Sequence, residues 1–351
     1  MKILVDIGHP AHVHYFRNAI SILKNKGHQF LITTRDKEVT LDLLREYGFD
    51  YVCTGKNKAG TISKLFTMVR NDAVIMREAR KFQPDIFFSF FSPFAAQVGW
   101  MLRKPVIGFT DSEFAKFSIK LTRPFTKYIF TPQCFETGFG KNHFRFKGYM
   151  ESFYLQPAYF TPDPSVLKTL GVAGNEAFFV MRFVSFNAGH DAGESGIDEK
   201  SKIEIADYLS SKGRLFISSE GPLPARFKKF RLPTSPKQFH SVLFYSSLYV
   251  GEGITTASEC AQLGTPAILV NTLRPGYINE QAALGLVFPF AKASAAVDKI
   301  KEIAGVPGIK NKFLEKRDAM LLQHTDCTSF LVWLLDNFPS SINNLKAGTE
   351  G

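Results

Sequence analysis

Short apolar segments alternate with longer amphipathic ones along nearly the whole chain, and the alternation is interrupted only once. Residues 3–7, 30–33 and Ile86–Phe90 have the length of strands, and helical patterns such as residues 13–26 lie between them. Strands that alternate with helices imply crossover connections and a parallel sheet. The run IFFSF is apolar enough for a strand that is buried on both faces.

A proline cluster marks the interruption. Pro157, Pro162 and Pro164 lie close together, and the alternation restarts after them. A chain of 351 residues is long enough for two domains with separate cores. We therefore predict an α/β fold of two doubly wound Rossmann-like domains that face each other across a cleft. The predicted N-terminal domain is residues 1–157, the C-terminal domain is 158–338 with a last helix that crosses back, and 339–351 form a polar tail.

The formal net charge of +11 favours anionic partners such as phosphates, nucleic acid or an acidic membrane surface. No nucleic-acid-binding motif is present, so we do not expect nucleic acid as a partner. The four cysteines are scattered without zinc or disulfide spacing, which is typical of reduced thiols in a cytoplasmic protein. Residues 86–102 lack charged side chains, but they are short and interrupted for a membrane span, and a buried strand and helix explain them better.

The segment LYVGEGITTASECAQLGTPAILV, residues 248–270, combines a strand, a glycine-bearing turn and a helix. Gly251 and Gly253 permit a tight turn and close approach of a ligand, and the helix start offers free N–H groups to a phosphate. Thr255 and Thr256 can cap the helix or donate hydroxyl groups to phosphate oxygens. Glu259, one turn further on, can accept hydrogen bonds from ribose. The alternative is an ordinary capped turn with Glu259 on a solvated face.

This motif resembles a known one. The run GITTASECAQLGTPA, residues 253–267, resembles the nucleotide-sugar motif of the peptidoglycan N-acetylglucosaminyltransferase that acts on lipid I. The resemblance implies a GT-B fold, a UDP diphosphate at the helix start and ribose at Glu259. The later run NEQA, with Gln281, resembles the stretch that contacts the donor sugar in that family. The full length resembles an uncharacterised prokaryotic family placed near these transferases.

A second resemblance concerns the non-hydrolysing UDP-N-acetylglucosamine 2-epimerases. Thr272-x-Arg274-Pro275 is similar to their Thr-x-Arg-Pro segment, which implies that Arg274 lies at the donor site. The loop near Ser92 lacks the first catalytic acid of those enzymes, and the region of Asp111 lacks their second motif. The missing acid argues against the epimerase reaction.

The candidate catalytic residues follow the first and fifth strands of the first half. His9, His12 and His14 come directly after the first strand, and a histidine there can act as general base on an acceptor hydroxyl. We favour His12 and place His9 second; Asp111 can orient a histidine or be the base itself. The alternatives are a turn cap at His9, packing roles for the others and a helix cap at Asp111. No carboxylate or thiol completes a metal site, so we expect no metal.

Further donor-site candidates follow strands of the second half. Arg182 can bind a diphosphate, and His190 and Asp191 can flank the donor. Ser219 and Glu220 end another strand, where phosphate or base contacts are expected. The alternatives are an Arg–Asp pair in a surface loop and a simple turn.

Residues 114–130 interleave aromatic and aliphatic side chains with Lys116, Lys120, Arg123 and Lys127. One face of this segment can rest on an anionic membrane, and the alternative is a core-packed helix with its lysines in water.

The sequence as a whole predicts a metal-independent glycosyltransferase without a cofactor. It would move a sugar from a nucleotide-sugar donor, a UDP-sugar, to a hydroxyl acceptor in surface polysaccharide or glycolipid synthesis. The predicted acceptor is a cytoplasmic or a lipid-linked compound. The predicted location is cytoplasmic, and a lipid-linked acceptor would add peripheral contact with the inner face of the membrane. A sugar-nucleotide epimerase and a non-catalytic nucleotide-sugar-binding scaffold are the alternatives.

Overall fold

The computed structural model describes residues 1–37, 39–56, 61–173, 176–184 and 196–348, without the side chains of 56 and 61–67. The chain divides into two compact units. Unit 1 comprises Met1–Tyr154 and Thr325–Gly351, and unit 2 comprises Leu155–His324.

Strands and helices alternate through most of the described chain. The strands are β1 (Lys2–Ile7), β2 (Gln29–Asp36), β3 (Val52–Lys56), β4 (Ile86–Phe90), β5 (Val106–Phe109), β6 (Tyr128–Pro132), β7 (His143–Phe146), β8 (Phe178–Phe183), β9 (Arg214–Ser219), β10 (Leu248–Gly251), β11 (Ala267–Val270) and β12 (Val287–Phe290). The helices are α1 (Pro10–Asn25), α2 (Thr40–Glu46), α3 (Thr61–Phe82), α4 (Pro93–Met101), α5 (Lys116–Thr122), α6 (Ser152–Leu155), α7 (Ser165–Leu170), α8 (Glu199–Lys212), α9 (Phe239–Tyr245), α10 (Ile254–Gln262), α11 (Gly276–Ala283), α12 (Ala293–Ala304), α13 (Ile309–Leu321), α14 (Cys327–Asp336) and α15 (Ser340–Ala347).

Unit 1 contains a seven-stranded sheet in the order β3-β2-β1-β4-β5-β6-β7, with parallel neighbours. The chain order reverses between β1 and β4, which is the point where ligands bind in open sheets of this kind. Right-handed crossovers place α1 and α2 on one face and α3, α4 and α5 on the other. In agreement, α1 packs against α2, and α4 packs against both α3 and α5.

Phenylalanine rings fill much of the core of unit 1, which gives a structural role to part of the 35 phenylalanines in the sequence. The ring of Phe109 stacks on Phe130 with centroids 5.0 Å apart, and it also contacts Phe88, Phe146 and Phe153 at 5.6 to 5.8 Å. Such aromatic pairs contribute about 0.5–1.5 kcal/mol each beyond the burial of their area.

The C-terminal segment returns to unit 1, which confirms the predicted crossing back. Helix α14 packs against α1, and the Thr328 hydroxyl donates to the Phe153 carbonyl over 2.6 Å. The sequence-based boundary assigns residues through 338 to the C-terminal domain, whereas the structure assigns Thr325–Gly351 to unit 1. The two differ because contacts between residues distant in sequence decide which unit a segment joins. Residues 340–347 form α15 with Ile342 buried, whereas the sequence predicts a polar tail there.

Unit 2 contains a five-stranded parallel sheet in the order β12-β11-β10-β8-β9. Its order reverses between β8 and β10, and the register aligns Arg182 with Gly251 on one side and with Ser218 on the other. The prediction of two parallel, Rossmann-like α/β sheets is confirmed. Among the described helices, none has the length and apolar character that a membrane span requires.

A buried carboxylate ties together the strand ends at the reversal point of unit 1. Asp6 accepts hydrogen bonds from Thr33 Oγ1 at 2.8 Å, from Arg35 Nη1 at 3.0 Å and from the Ser92 hydroxyl. Gly8 allows this arrangement, because a Cβ at that position would lie 2.2 Å from Arg35 Nη2. The network therefore joins β1 to β2 and to the loop after β4.

The substitution Asp6→Asn should strongly destabilise the protein, because it leaves the buried Arg35 guanidinium without a counter-charge. We expect a loss of about 3 kcal/mol in the free energy of unfolding, measured by urea denaturation at neutral pH. The matched control is Asp42→Asn, which removes an exposed partner of Arg45 and should cost less than about 0.5 kcal/mol. Equal effects of the two substitutions would contradict the assignment.

Candidate functional site

Two neighbouring strand ends of unit 2, those of β8 and β9, form the first part of the site. Arg182, at the end of β8, donates from Nη1 to Ser218 Oγ at 3.0 Å and from Nη2 to Glu220 Oε1 at 2.9 Å. Its guanidinium carbon also lies 5.5 Å from the centroid of the Phe239 ring. The sequence predicts Arg182 and Glu220 as separate ligand contacts, and the structure joins them in an ion pair. Ser219 lies beside them as the last residue of β9.

The start of α10 lies at the adjacent end of β10. Gly253 occupies the N-cap position with φ −79° and ψ 116°, and within the described chain no side chain caps the helix. Thr255 is partly exposed in the first turn, and Thr256 is buried. Gly251 leaves room where a Cβ would lie 2.3 Å from Tyr249 Oη. The start of α10 therefore has no described side-chain cap, and it lies at the reversal point of the sheet, where the helix dipole favours an anion.

Glu252, between the two glycines, is a site residue that the sequence analysis missed. Its buried carboxylate accepts the backbone N–H groups of Val184 at 2.7 Å and Ile197 at 2.6 Å, and Lys202 Nζ lies 3.5 Å away. Asn271 Nδ2 donates to the Glu252 carbonyl over 3.0 Å. Glu252 therefore fixes both ends of the segment after β8 beside the start of α10. No local pattern marks this role, because the two N–H partners are distant in sequence.

Two predicted residues, His190 and Asp191, fall within residues 185–195, which lie outside the described part of the chain. Their predicted position beside the donor stays a prediction. The described residues that flank this segment, Val184 and Ile197, are the ones that Glu252 holds.

Glu259 is buried in α10, whereas one sequence-based alternative places it on a solvated face. Its Oε1 atom lies 2.9 Å from Nε2 of His240, a buried residue of α9 that the sequence analysis did not select. A histidine at hydrogen-bond distance orients the carboxylate. The pair thereby links α9 to α10 within unit 2.

Arg274 and Gln281 make contacts within unit 2 that position the segment after β11. Arg274 Nη1 donates to the carbonyl groups of Asn271 and Leu273, and burial lowers the pKa of its guanidinium. Gln281 is fully buried in α11 and donates from Nε2 to Ser258 Oγ of α10 at 2.8 Å. Both side chains thus support the loop and helix that surround the start of α10.

The histidines after β1 have roles that the sequence left open. His9 caps α1, since its Nδ1 atom accepts the N–H of Ala11 at 3.2 Å. His12 Nδ1 accepts the N–H of Gly8 at 3.2 Å, so the proton of a neutral ring is on Nε2. Burial, followed by the charges of His9, Arg35 and Lys37, holds the pKa of His12 well below its usual range. In this geometry His12 is a hydrogen-bond donor, which does not favour its predicted role as general base.

We expect His12 to remain neutral, with its proton on Nε2, as the pH falls through 6.5, the usual pKa of histidine. The low folded-state pKa follows from burial and neighbouring positive charge. Nitrogen-15 NMR of the imidazole rings between weakly acidic and neutral pH measures both the tautomer and the pKa, with His12→Gln for assignment. A ring protonated near its usual pKa, or a proton on Nδ1, would contradict this assignment.

Asp111 is buried directly after β5 and accepts a hydrogen bond from Ser112 Oγ at 2.9 Å. Burial raises the pKa of Asp111 to about 7. A carboxyl group that titrates near neutrality is suited to accept a proton from a hydroxyl group. Among the described contacts, its hydrogen-bond partner is Ser112 and not a histidine, so the predicted role of orienting a histidine gains no support.

Asp111 should make stability pH-dependent. Its pKa is about 7 in the folded protein and 3.8 when exposed, so the folded state binds more protons between these values. The contribution of Asp111 to stability is therefore present at low pH and is lost as the pH rises through this window. Urea denaturation across the window should show a flatter pH dependence for Asp111→Asn than for the unsubstituted protein. Identical pH dependences would show that Asp111 has an ordinary pKa.

Among the residues that the structure describes, no group of three or more His, Cys, Asp and Glu side chains could hold a metal ion.

Two parallel Rossmann-like sheets, each with loops of polar residues at the carboxyl ends of its strands, define an α/β protein of the GT-B-like class. Within that class, the chain belongs to the family described as "Protein of unknown function (DUF354)", whose family model matches residues 1–278.

Comparison with individual proteins agrees with this class. The chain is 26% identical over 278 residues to the uncharacterized protein MJ0665 of Methanocaldococcus jannaschii, covering 76% of this chain and 81% of the relative. Its fold is similar to that of UDP-GlcNAc 2-epimerase from Neisseria meningitidis bound to UDP-GlcNAc, with a TM-score of 0.69, 12% identity and coverage of 96% and 100%. It is also similar to the glycosyltransferase SsfS6 of Streptomyces sp. SF2575, with a TM-score of 0.59, 13% identity and the same coverage.

Proposed function

We propose that unit 2 binds a nucleotide-sugar, specifically a UDP-sugar, and that the protein transfers the sugar to a hydroxyl acceptor. The observation that carries this proposal is the N-terminus of α10, which no described side chain caps and which follows two glycines at the reversal point of the sheet. Backbone N–H groups and the positive end of a helix dipole are suited to a diphosphate. The fold similarity to a UDP-GlcNAc 2-epimerase bound to UDP-GlcNAc and to a glycosyltransferase supports the same ligand class.

The donor contacts follow from positions around this N-terminus. The diphosphate binds the first-turn N–H groups and the hydroxyl groups of Thr255 and Thr256. Arg182, held by Ser218 and Glu220, supplies a cation at the same sheet edge. Glu259, oriented by His240, accepts hydrogen bonds from ribose hydroxyls.

The remaining predicted donor residues have smaller parts in this proposal. Ser219 contacts the phosphate or the base, and His190 and Asp191 flank the donor. Arg274 and Gln281 shape the sugar side of the site through their contacts with the loop after β11 and with α10.

Sugar transfer breaks the bond between the anomeric carbon and the phosphate oxygen while the acceptor oxygen forms the new bond. The departing diphosphate takes the electron pair, and N–H groups with Arg182 stabilise its charge. We place acceptor activation in unit 1 and assign Asp111 as the group that takes the acceptor proton, because its pKa is raised to about 7. His9 stays a structural cap, and His12 donates a hydrogen bond from Nε2. The proposal includes no metal or other cofactor.

The acceptor class is also part of the proposal. A lipid-linked hydroxyl acceptor in surface polysaccharide or glycolipid synthesis at the cytoplasmic face of the membrane suits a basic chain with a net charge of +11.

The substitution Gly253→Asp separates folding from phosphate binding. Aspartate is a preferred N-cap residue, and the backbone angles at Gly253 suit it, so the helix should gain a few tenths of a kcal/mol of stability. The same carboxylate would occupy the position of the diphosphate and repel its negative charge. We expect a raised melting temperature together with loss of the thermal shift produced by UDP and by UDP-sugars.

Two variants control this experiment. Gly253→Asn caps the helix without a charge and should weaken the UDP-dependent shift less than Gly253→Asp. Lys292→Asp places an acidic cap on α12, which follows β12, the second strand from β10 in the sheet. This variant should leave the UDP-dependent thermal shift unchanged. A UDP-dependent shift that survives Gly253→Asp would refute the proposed diphosphate position.

A second candidate function is sugar-nucleotide epimerisation, which the Thr272-x-Arg274-Pro275 segment in the loop after β11 favours. Incubation with a UDP-N-acetylhexosamine alone, followed by analysis of the sugar, distinguishes the two reactions. An epimerase forms a new epimer without an acceptor, and a transferase requires one. Calorimetric binding of UDP-sugar without turnover in an acceptor screen would instead indicate a non-catalytic nucleotide-sugar-binding scaffold.

A further inference from the structure

One helical layer of unit 1 exposes several large apolar side chains. Val69 on α3, Trp100 and Met101 on α4 and Phe117 on α5 have exposed fractions of 62%, 60%, 48% and 77%. Helix α4 packs against both α3 and α5, so these side chains belong to one continuous layer. Large exposed apolar groups that share a surface mark an interaction site more often than scattered ones do.

Basic residues surround these apolar side chains. Six of them are exposed in residues 100–127, namely Arg103, Lys104, Lys116, Lys120, Arg123 and Lys127. The two acidic residues of the same stretch are Asp111 and Glu113, and Asp111 is buried. In the described part of the chain, none of the six basic side chains forms an ion pair with a carboxylate. Their charge is therefore available to an external anion.

The apolar and basic groups are intermixed at the end of α4. Trp100, Arg103, Lys104, Phe125 and Lys127 line one shallow depression. The Trp100 ring meets Phe125 edge to face, with centroids 5.4 Å apart, so the indole is held in place while most of its surface stays in water. A fixed aromatic ring among cations is suited to the boundary between lipid headgroups and acyl chains.

We propose that the outer surface of α3, α4 and α5, with the four apolar and six basic residues named above, docks on an anionic lipid membrane. Apolar side chains enter the interfacial region, and each basic side chain near anionic headgroups strengthens binding about fivefold. Val69 and Met101 favour a bilayer over single-stranded RNA, because aliphatic side chains offer no flat surface for base stacking. The proposal does not depend on the nucleotide-sugar assignment of unit 2.

Vesicle flotation of the full-length protein tests the proposal. We expect binding to vesicles of equal parts phosphatidylcholine and phosphatidylglycerol, weakening with added salt, and no binding to phosphatidylcholine alone. The double variant Trp100→Ser/Phe117→Ser should bind the anionic vesicles about tenfold more weakly, because it removes two exposed anchors. The double variant Lys116→Glu/Lys120→Glu should lose at least as much.

The controls use equivalent exposed residues of unit 2. Leu322→Ser removes a side chain that is 88% exposed, and Lys168→Glu/Lys228→Glu reverses two exposed charges. These variants should bind like the unsubstituted protein. If the control variants lost as much vesicle binding, net charge or hydrophobicity alone would explain the binding, and the proposal would be overturned. So would the absence of binding to anionic vesicles, or retention on single-stranded RNA in place of vesicles.

Discussion

Parallel strand pairing is the constraint on which the organisation of both units depends. In each described sheet the carboxyl ends of all strands lie at one edge, and the helix that follows a strand begins there. Fully buried side chains such as Met181 and Val250 fix the register between β8 and β10. Because register is fixed by burial, Arg182 and Gly251 must emerge side by side at that edge. The polar site is thus positioned by the apolar core beneath it.

Glu252 connects that core to the loops above it. A buried carboxylate is costly unless hydrogen bonds and a counter-charge offset the loss of water. Here two backbone N–H groups and Lys202 provide this compensation, so the charge of Glu252 is used within the protein. The carboxylate can therefore lie one residue before the N-cap of α10 while the helix N-terminus keeps its own N–H groups for an anion.

The buried titratable groups of unit 1 differ in their surroundings and in their roles. Asp6 has Arg35 as its counter-charge and serves the sheet. Burial raises the pKa of Asp111 to about 7, although the hydrogen bond from Ser112 acts in the opposite direction. Burial, followed by neighbouring positive charge, lowers the pKa of His12, and the backbone N–H that its ring accepts fixes its tautomer. Of these three groups, Asp111 is the one whose pKa suits it to gain and lose a proton near neutral pH.

The sequence by itself determined the two parallel α/β sheets, because the spacing of apolar residues records which segments are strands and which are helices. It also determined the glycine turn before α10, since Gly251 and Gly253 permit the tight turn between a strand and a helix. The tertiary structure alone decided the partners: Glu220 for Arg182, His240 for Glu259, and the Val184 and Ile197 N–H groups for Glu252. It also decided where the chain divides, since the residues from Thr325 onward belong to unit 1. These contacts join residues far apart in the chain, and local periodicity carries no information about them.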